Sequence, residues 1–185
     1  MIWIVLSLVV LAALVIAVAV WWHDFPAHHF GVVEPGVLYR SGQPGALGWR
    51  YIVRKYRPKT VVNLRRPSPG EDWYELEKAM CERHGMTLVD IPMRHDKLTD
   101  EQIRQFLAVV TDPSTRPVLV HCEQGSIRTS VTVGTFRMLV QGWPYEKALD
   151  DSRPYRFRPQ RYTLYDAFLR ELPARDRDEL MPAAG

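Results

Sequence analysis

The segment from Val118 to Thr129 constrains the fold of this chain more than any other part of its sequence. Val118 to Val120 are apolar, as is typical of a buried strand, and they lead directly into the polar run His121-Cys122-Glu123-Gln124-Gly125-Ser126-Ile127-Arg128-Thr129. The central glycine gives this run backbone freedom, and a strongly apolar segment follows it. The pattern predicts a buried strand, then a tight anion-binding loop, then a helix whose N-terminus faces the loop.

The residue types in this loop predict phosphoryl-transfer chemistry. Arg128 lies six positions after Cys122 and offers a planar fork for two phosphate oxygens. A helix N-terminus and nearby cations favour a thiolate, so Cys122 is the predicted nucleophile. Thr129 is expected to hydrogen-bond the thiolate, with capping of the following helix as its alternative role. The predicted substrate-binding residues between them are Glu123, Gln124, Gly125, Ser126 and Ile127. A buried cysteine in an ordinary strand-to-helix turn is the structural alternative.

The same run resembles the signature His-Cys-x5-Arg-Ser/Thr of the cysteine-dependent protein phosphatases. From about Val32 to about Asp151 the chain is similar to their small, atypical dual-specificity branch, on the segments Leu38-Tyr39-Arg40-Ser41-Gly42-Gln43-Pro44, Thr60-Val61-Val62-Asn63-Leu64-Arg65 and Asp90-Ile91-Pro92. Relatives usually have glycine where this chain has Ser130. The resemblance implies a phosphoric monoester hydrolase that forms a cysteinyl-phosphate and needs no cofactor and no metal.

A general acid must protonate the leaving oxygen in such a reaction. Asp96 is the predicted acid, because it lies in the loop after Ile91-Pro92 where similar phosphatases carry it. Asp90 is expected to be structural, Asp100 is expected in the first turn of a helix, and His95 is an alternative to Asp96. Arg65 is a further candidate for substrate binding, with a surface ion pair to Glu71 or Asp72 as the equal alternative.

Strand and helix patterns alternate through the rest of the chain and predict an α/β domain with a mainly parallel central sheet flanked by helices, as in dual-specificity phosphatases. Predicted strands cover Val37–Arg40, Thr60–Leu64, Thr87–Ile91 and Val118–His121. Predicted caps are a Ser68/Glu71 box before a helix closed by Gly85, and a Thr99/Gln102 box before the next helix. The loops that follow three of the strands are expected to converge on one cleft, because ligands bind at the carboxyl ends of such sheets.

Residues 1–22 contain no ionised side chain and would reach about 33 Å as a helix, enough for a bilayer core of about 30 Å. They predict one N-terminal transmembrane anchor, with a cleaved signal peptide ending near Ala17-Val18-Ala19 as the alternative. The predicted organisation is an anchor at 1–22, a juxtamembrane linker at 23–31, a phosphatase domain at 32–172 and a flexible tail at 173–185. Basic residues after the anchor favour a cytoplasmic catalytic domain over a periplasmic or other extracytoplasmic one.

The sequence therefore predicts a membrane-anchored protein-tyrosine or dual-specificity phosphatase. Its expected partners are the membrane, through the N-terminal helix, and phosphoproteins, phosphotyrosine first, with no nucleic acid. Glu123 and the lack of lysine in the loop disfavour polyphosphorylated substrates, which would require more positive charge. A phosphoinositide or inositol-phosphate phosphatase and a non-catalytic phosphoprotein-binding module are the two alternatives. Net charge (+3) and the two cysteines among 185 residues suit one domain in a reducing compartment without a disulfide framework.

Overall fold

A five-stranded mixed sheet forms the centre of the protein, whose computed structural model describes residues 2–24, 28–94, 97–175 and 177–181. The strand order is β1-β2-β5-β3-β4, where β1 pairs with β2 antiparallel and the other three pairings are parallel. The strands are β1 (Gly31–Glu34), β2 (Leu38–Ser41), β3 (Thr60–Asn63), β4 (Thr87–Asp90) and β5 (Val118–His121). The predicted α/β architecture is confirmed, and β1 is an edge strand that the sequence patterns did not reveal.

The described residues form eight α-helices. They are α1 (Ile2–Asp24), α2 (Ala46–Tyr56), α3 (Asp72–His84), α4 (Asp100–Thr111), α5 (Ile127–Thr135), α6 (Tyr145–Ser152), α7 (Thr163–Glu171) and α8 (Arg177–Leu180). Helix α5 continues as a π-helical segment, Phe136–Val140. The predicted Thr99/Gln102 box caps α4 and Gly85 ends α3, but the Ser68/Glu71 box is wrong because Glu71 itself is the N-cap of α3 and its side chain makes no capping bond.

The sheet separates two apolar clusters, because alternate residues of a strand point to opposite faces. On one face Val62 and Val120 pack with Phe106 of α4, Val131 of α5 and Leu169 of α7. On the other face the neighbouring strand residues pack against α2 and α3, in a cluster that includes Val61, Leu119, Trp49, Ile52 and Cys81. Burial on both faces explains why the central strands are apolar without alternation.

The carboxyl ends of the three central strands lie at one level of the sheet. His121 at the end of β5 is in register with Ser41 of β2 on one side and Asn63 of β3 on the other. Asn63 is in turn level with Asp90 of β4. The segments that follow these strands therefore start beside Cys122, as predicted, and β5 places this cysteine at the centre of that edge.

The predicted transmembrane anchor is wrong. No helix in the part of the chain that the structure describes is long and apolar enough to cross a membrane. The cytoplasmic location of the catalytic domain is tested by no observation and stays a prediction.

The C-terminal segment packs on the domain up to Met181, where the sequence predicted a flexible tail from residue 173. Leu180 of α8 is buried and joins the apolar cluster of α4. Arg175 forms two 2.8 Å hydrogen bonds with the carboxylate of Asp100, at the start of α4. An apolar anchor and a bidentate ion pair thus hold this segment against α4.

Candidate active site

The predicted loop lies between β5 and α5, and its backbone packs directly on the end of β2. Gly125 has a φ of +66°, and a Cβ added there would come within 2.4 Å of the Gly42 nitrogen. A Cβ on Gly42 would in turn meet the Gln124 carbonyl carbon at 3.0 Å. The Gln43 N–H donates to the Glu123 carbonyl over 2.9 Å. Two glycines therefore allow a contact between two backbones that no larger residue would permit, and this contact shapes the loop.

Two histidines before β1 support this loop, His29 directly and His28 through Gly42. The Gly42 N–H donates to the His28 carbonyl over 2.5 Å. The Nδ1 of His29 lies 2.7 Å from the Gln124 carbonyl oxygen. Burial is the main reason that the pKa of His29 is lowered, which favours the neutral ring. Residues just before the first strand thus help to hold the loop.

Cys122 and Arg128 line one cavity of about 290 Å³ together with Glu123, Gln124, Ser126, Ile127 and Tyr162. Cys122 is only 2% exposed and follows directly on β5. Arg128 lies in the first turn of α5, and its Nη1 donates to the Leu64 carbonyl over 3.2 Å. Its Nη2 is 3.8 Å from the Glu123 carboxylate. The structure thus brings a thiol, a fixed guanidinium and a helix N-terminus around one cavity, a geometry suited to binding a phosphate above the sulfur.

Thr129 is fully buried in the first turn of α5, and its Oγ1 has no hydrogen-bond partner among the described residues. The N-cap position of α5 belongs to Ser126, so Thr129 does not cap the helix. The free hydroxyl is consistent with the predicted contact to the Cys122 sulfur.

A buried network of polar side chains supports the loop from the side of α3. His121 Nε2 lies 3.1 Å from the Glu77 carboxylate, and both side chains are fully buried. Gln43 Nε2 donates to the same carboxylate over 2.7 Å. Burial alone would raise the pKa of Glu77, but the charge and hydrogen bond of His121 and the hydrogen bond from Gln43 lower it. His121 therefore braces the loop from the end of β5, and Glu77 keeps its charge.

Arg65 is hydrogen-bonded to Gln43 of this buried polar network, at the edge of the site. Its Nη1 donates to Gln43 Oε1 over 3.0 Å, and its guanidinium stacks on Trp73 at 3.4 Å from the ring centroid. Of the predicted site residues that the structure describes, Arg65, Gly125 and Thr129 do not line the cavity. Arg65 reaches the site through Gln43, and Gly125 acts through its backbone.

The predicted acid, Asp96, lies outside the described residues, as does His95. Both other carboxylates near this loop have structural partners. Asp90 accepts hydrogen bonds of 2.7 Å from Asn63 Nδ2 and from the Tyr74 hydroxyl, and Asp100 pairs with Arg175. The structural roles expected for Asp90 and Asp100 agree with these contacts, and Asp96 stays a prediction.

Comparison with known proteins identifies the family. A family model described as a DSP-PTPase phosphatase fused to NAD⁺ kinase matches residues 32–170. The chain belongs to the cysteine-dependent dual-specificity phosphatases. Members of this group are phosphoric monoester hydrolases, so the enzyme class expected from the sequence is confirmed.

Relatives of this dual-specificity phosphatase are named for different activities. The putative tyrosine-protein phosphatase OCA1 of Mycosarcoma maydis is 33% identical over 132 residues, which are 70% of this chain and 81% of that protein. The inositol diphosphatase DSP2 of Oryza sativa subsp. japonica is 29% identical over 126 residues, 68% of this chain and 61% of that protein. The core catalytic domain of the PP-IP phosphatase SIW14 from S. cerevisiae has the same fold, with a TM-score of 0.71 at 24% identity over 84% of this chain and 90% of that domain.

Two residues of this phosphatase site were not predicted from the sequence. Tyr162 lines the cavity from the short helical turn before α7, and no motif indicated it. Arg40 is fully buried under the loop and donates to the Gly125 carbonyl. It lies within the segment Leu38 to Pro44 that resembles the family, so the resemblance marked its position without indicating its role.

Proposed function

We propose that this phosphatase hydrolyses aryl phosphate monoesters, phosphotyrosine in proteins first, through a covalent intermediate on Cys122. The observation that carries the proposal is the single cavity lined by the Cys122 thiol and the Arg128 guanidinium at the N-terminus of α5. A non-catalytic phosphoprotein-binding module would need the guanidinium and the helix N-terminus, but it would not need a thiol at the same point.

The reaction proceeds in two displacements. The Cys122 thiolate attacks phosphorus, the S–P bond forms, the P–O bond to the substrate breaks, and Asp96 gives its proton to the leaving oxygen. A water molecule then attacks phosphorus and passes a proton to the Asp96 carboxylate, which releases inorganic phosphate and the thiolate. Arg128 and the N–H groups of the loop hold the phosphoryl oxygens in both steps, and the free Thr129 hydroxyl stabilises the departing thiolate.

The rim of the cavity favours substrates with a single phosphate and an aromatic leaving group. The exposed Glu123 carboxylate, 3.8 Å from Arg128, repels any second phosphate that approaches from its side. Tyr162 and Ile127 offer an aromatic and an aliphatic wall beside the phosphate position. A cavity with these walls and this negative charge suits the ring of phosphotyrosine better than a fully phosphorylated inositol.

A second candidate substrate class is inositol diphosphates. It is favoured by the activity for which the rice relative is named and by the positive charge of Arg65, whose guanidinium is held near the site by Gln43. The two candidates differ in the role of Glu123, because its charge would oppose a substrate with many phosphates.

The test uses the full-length chain with a phosphotyrosine peptide, a phosphoserine peptide and a diphosphoinositol polyphosphate as substrates. We expect the largest kcat/KM for the phosphotyrosine peptide, and we expect Glu123→Lys to increase hydrolysis of the inositol substrate. Cys122→Ser is the control: it should abolish turnover and keep vanadate binding, because the loop and Arg128 remain. Substantial turnover by Cys122→Ser would exclude the covalent mechanism, and preferred hydrolysis of the inositol substrate by the unaltered chain would select the second candidate.

A further inference from the structure

Arg40 carries a charge that is buried directly beneath the phosphate-binding loop. Its side chain is 1% exposed, and its strand position in β2 is in register with Val120 of β5, two residues before Cys122. Nη2 of Arg40 donates to the Gly125 carbonyl over 2.8 Å and to the Ser130 hydroxyl over 2.9 Å. A buried guanidinium is costly to desolvate, so a residue of this kind needs a compensating role.

The hydrogen bond to Gly125 determines how the loop presents its N–H groups. In a trans peptide the carbonyl and the following N–H point in opposite directions. When Arg40 holds the Gly125 carbonyl on the β2 side, the N–H of Ser126 is turned away from Arg40, towards the cavity that Ser126 lines. A carbonyl turned the other way would place a negative dipole where the phosphate oxygens bind.

Ser130 and Tyr155 hold Arg40 in this place. Ser130 stands where relatives usually have glycine, and its hydroxyl gives the guanidinium a second acceptor on α5. The Tyr155 ring lies 3.6 Å from the guanidinium carbon on one face. Tyr155 itself is seated against Gly31 of β1, where an added Cβ would come 2.1 Å from the hydroxyl oxygen. The guanidinium is therefore fixed by three separate elements of the fold.

The charge of Arg40 also acts on the nucleophile. Burial lowers the pKa of Arg40 to about 10, while acidic side chains nearby, Asp151 among them, act in the opposite direction. The group thus remains a cation at neutral pH. In a buried site its attraction for a thiolate is weakly screened, unlike that of a surface cation.

We propose that Arg40 is a positioning residue of the active site, which orients the Gly125–Ser126 peptide for phosphate binding and supplies a second buried positive charge to the Cys122 thiolate. The inference rests on the proposed covalent mechanism. It is distinct from the role of Arg128, because Arg40 acts through the loop and does not line the cavity.

The test compares Arg40→Met, Arg40→Lys and Ser130→Ala in the full-length chain. We measure kcat/KM for an aryl phosphate, inhibition by vanadate, and the pH dependence of Cys122 alkylation by iodoacetamide. Arg40→Met should lower kcat/KM by about 10²–10³, weaken vanadate binding and shift alkylation to higher pH, since loss of one anion-stabilising group typically has such an effect. Arg40→Lys keeps the charge, so its alkylation profile should stay near that of the unaltered chain while its vanadate binding weakens.

Ser130→Ala is the matched control, because it removes the second acceptor and leaves the bond to Gly125. Its kcat/KM should fall by less than about 10-fold. A folded Arg40→Met with unchanged vanadate binding and an unchanged alkylation profile would overturn the proposal. If this variant does not fold, unchanged vanadate binding by Arg40→Lys overturns it equally. Lack of turnover by the unaltered chain contradicts the proposed function alone, because vanadate binding and alkylation are measured without turnover.

Discussion

At the scale of single residues, the buried threonines of α5 differ in the hydrogen bonds that their hydroxyls make. Thr129 Oγ1 has no partner among the residues described, whereas Thr132 and Thr135 donate to backbone carbonyls within their own helix. All three side chains are fully buried. Only the first is adjacent to Arg128, so the helix itself leaves one hydroxyl free for the site.

We predict that Thr129→Ala lowers turnover about 10- to 100-fold, because a hydrogen bond to a charged group is worth about 1.5–3 kcal/mol. The second displacement should be the slower step in this variant, and rapid-quench experiments should detect accumulated phosphoenzyme. Thr135→Ala is the control, which removes an equally buried hydroxyl and should change only the stability. Equal losses of turnover in the two variants would contradict a role for Thr129 in thiolate release.

The sequence predicted those site residues that lie together in one short motif. Cys122 and Arg128 lie in a single loop-helix pattern, and the structure places both in one cavity. Arg40 could not be assigned a role in this way, because its partners Gly125 and Ser130 lie 85 and 90 residues further along the chain. A contact over such a distance depends on the order of the strands, which local patterns do not contain.

The loop between β4 and α4 contains Asp96, the predicted general acid. Strand β4 ends level with β3, and α4 begins with a complete capping box at Thr99. The Gln102 side chain also donates to the Pro92 carbonyl over 2.7 Å, so both ends of the loop are tied together. Asp96 lies between these ends, whereas Asp90 and Asp100 belong to the flanking elements.

We predict that Asp96→Asn lowers turnover of phosphotyrosine by about 10²–10⁴ and has a much smaller effect on an aryl phosphate whose phenol is already acidic. The comparison is kcat for the two substrates in each variant. Asp90→Asn and Asp100→Asn are the controls, and they should reduce thermal stability without a dependence on the leaving group. A dependence that appears in either control and is absent in Asp96→Asn would show that the acid was wrongly assigned.

Local patterns predicted elements well where one residue type decides the structure. The bounds of β5 match the prediction, and Gly85 ends α3 in the left-handed conformation. The strand β1 was missed because only Val32 and Val33 are apolar in it, and it is held at the edge by pairing with β2. Helix periodicity gives no warning that α5 widens into a π-helical segment before Gln141.

At the scale of the whole molecule, one buried carboxylate connects three parts of the fold. The carboxylate of Glu77 on α3 contacts His121 of β5 and Gln43 of the segment after β2. The pKa of Glu77 is lowered in the folded protein, so folding favours its charged form. The resulting stabilisation is fully present above the pKa of an unfolded glutamate, about 4.3, and is lost as the pH falls through the lower folded value.

We predict that the free energy of unfolding of the full-length chain decreases more steeply below about pH 5 than that of Glu77→Gln. Urea unfolding at a series of pH values between about 6 and 3 measures this difference. Glu75→Gln is the control on the same helix, since Glu75 is exposed and its pKa is also lowered, chiefly by the Gly70 N–H. Solvent screening should make the effect of Glu75→Gln smaller. Identical pH dependences for Glu77→Gln and the unaltered chain would contradict the prediction.

The central position of β5 has a consequence for biosynthesis. The strands β2 and β3 each pair with β5, and their own partners, β1 and β4, lie on the outer sides. While the chain emerges from the ribosome, β1 with β2 and β3 with β4 can form only two separate pairs until Val118–His121 has been made. The strand that joins them is the one that carries Cys122 at its end. A nascent chain therefore acquires its complete sheet and Cys122 together, and a product that ends before Val118 has neither.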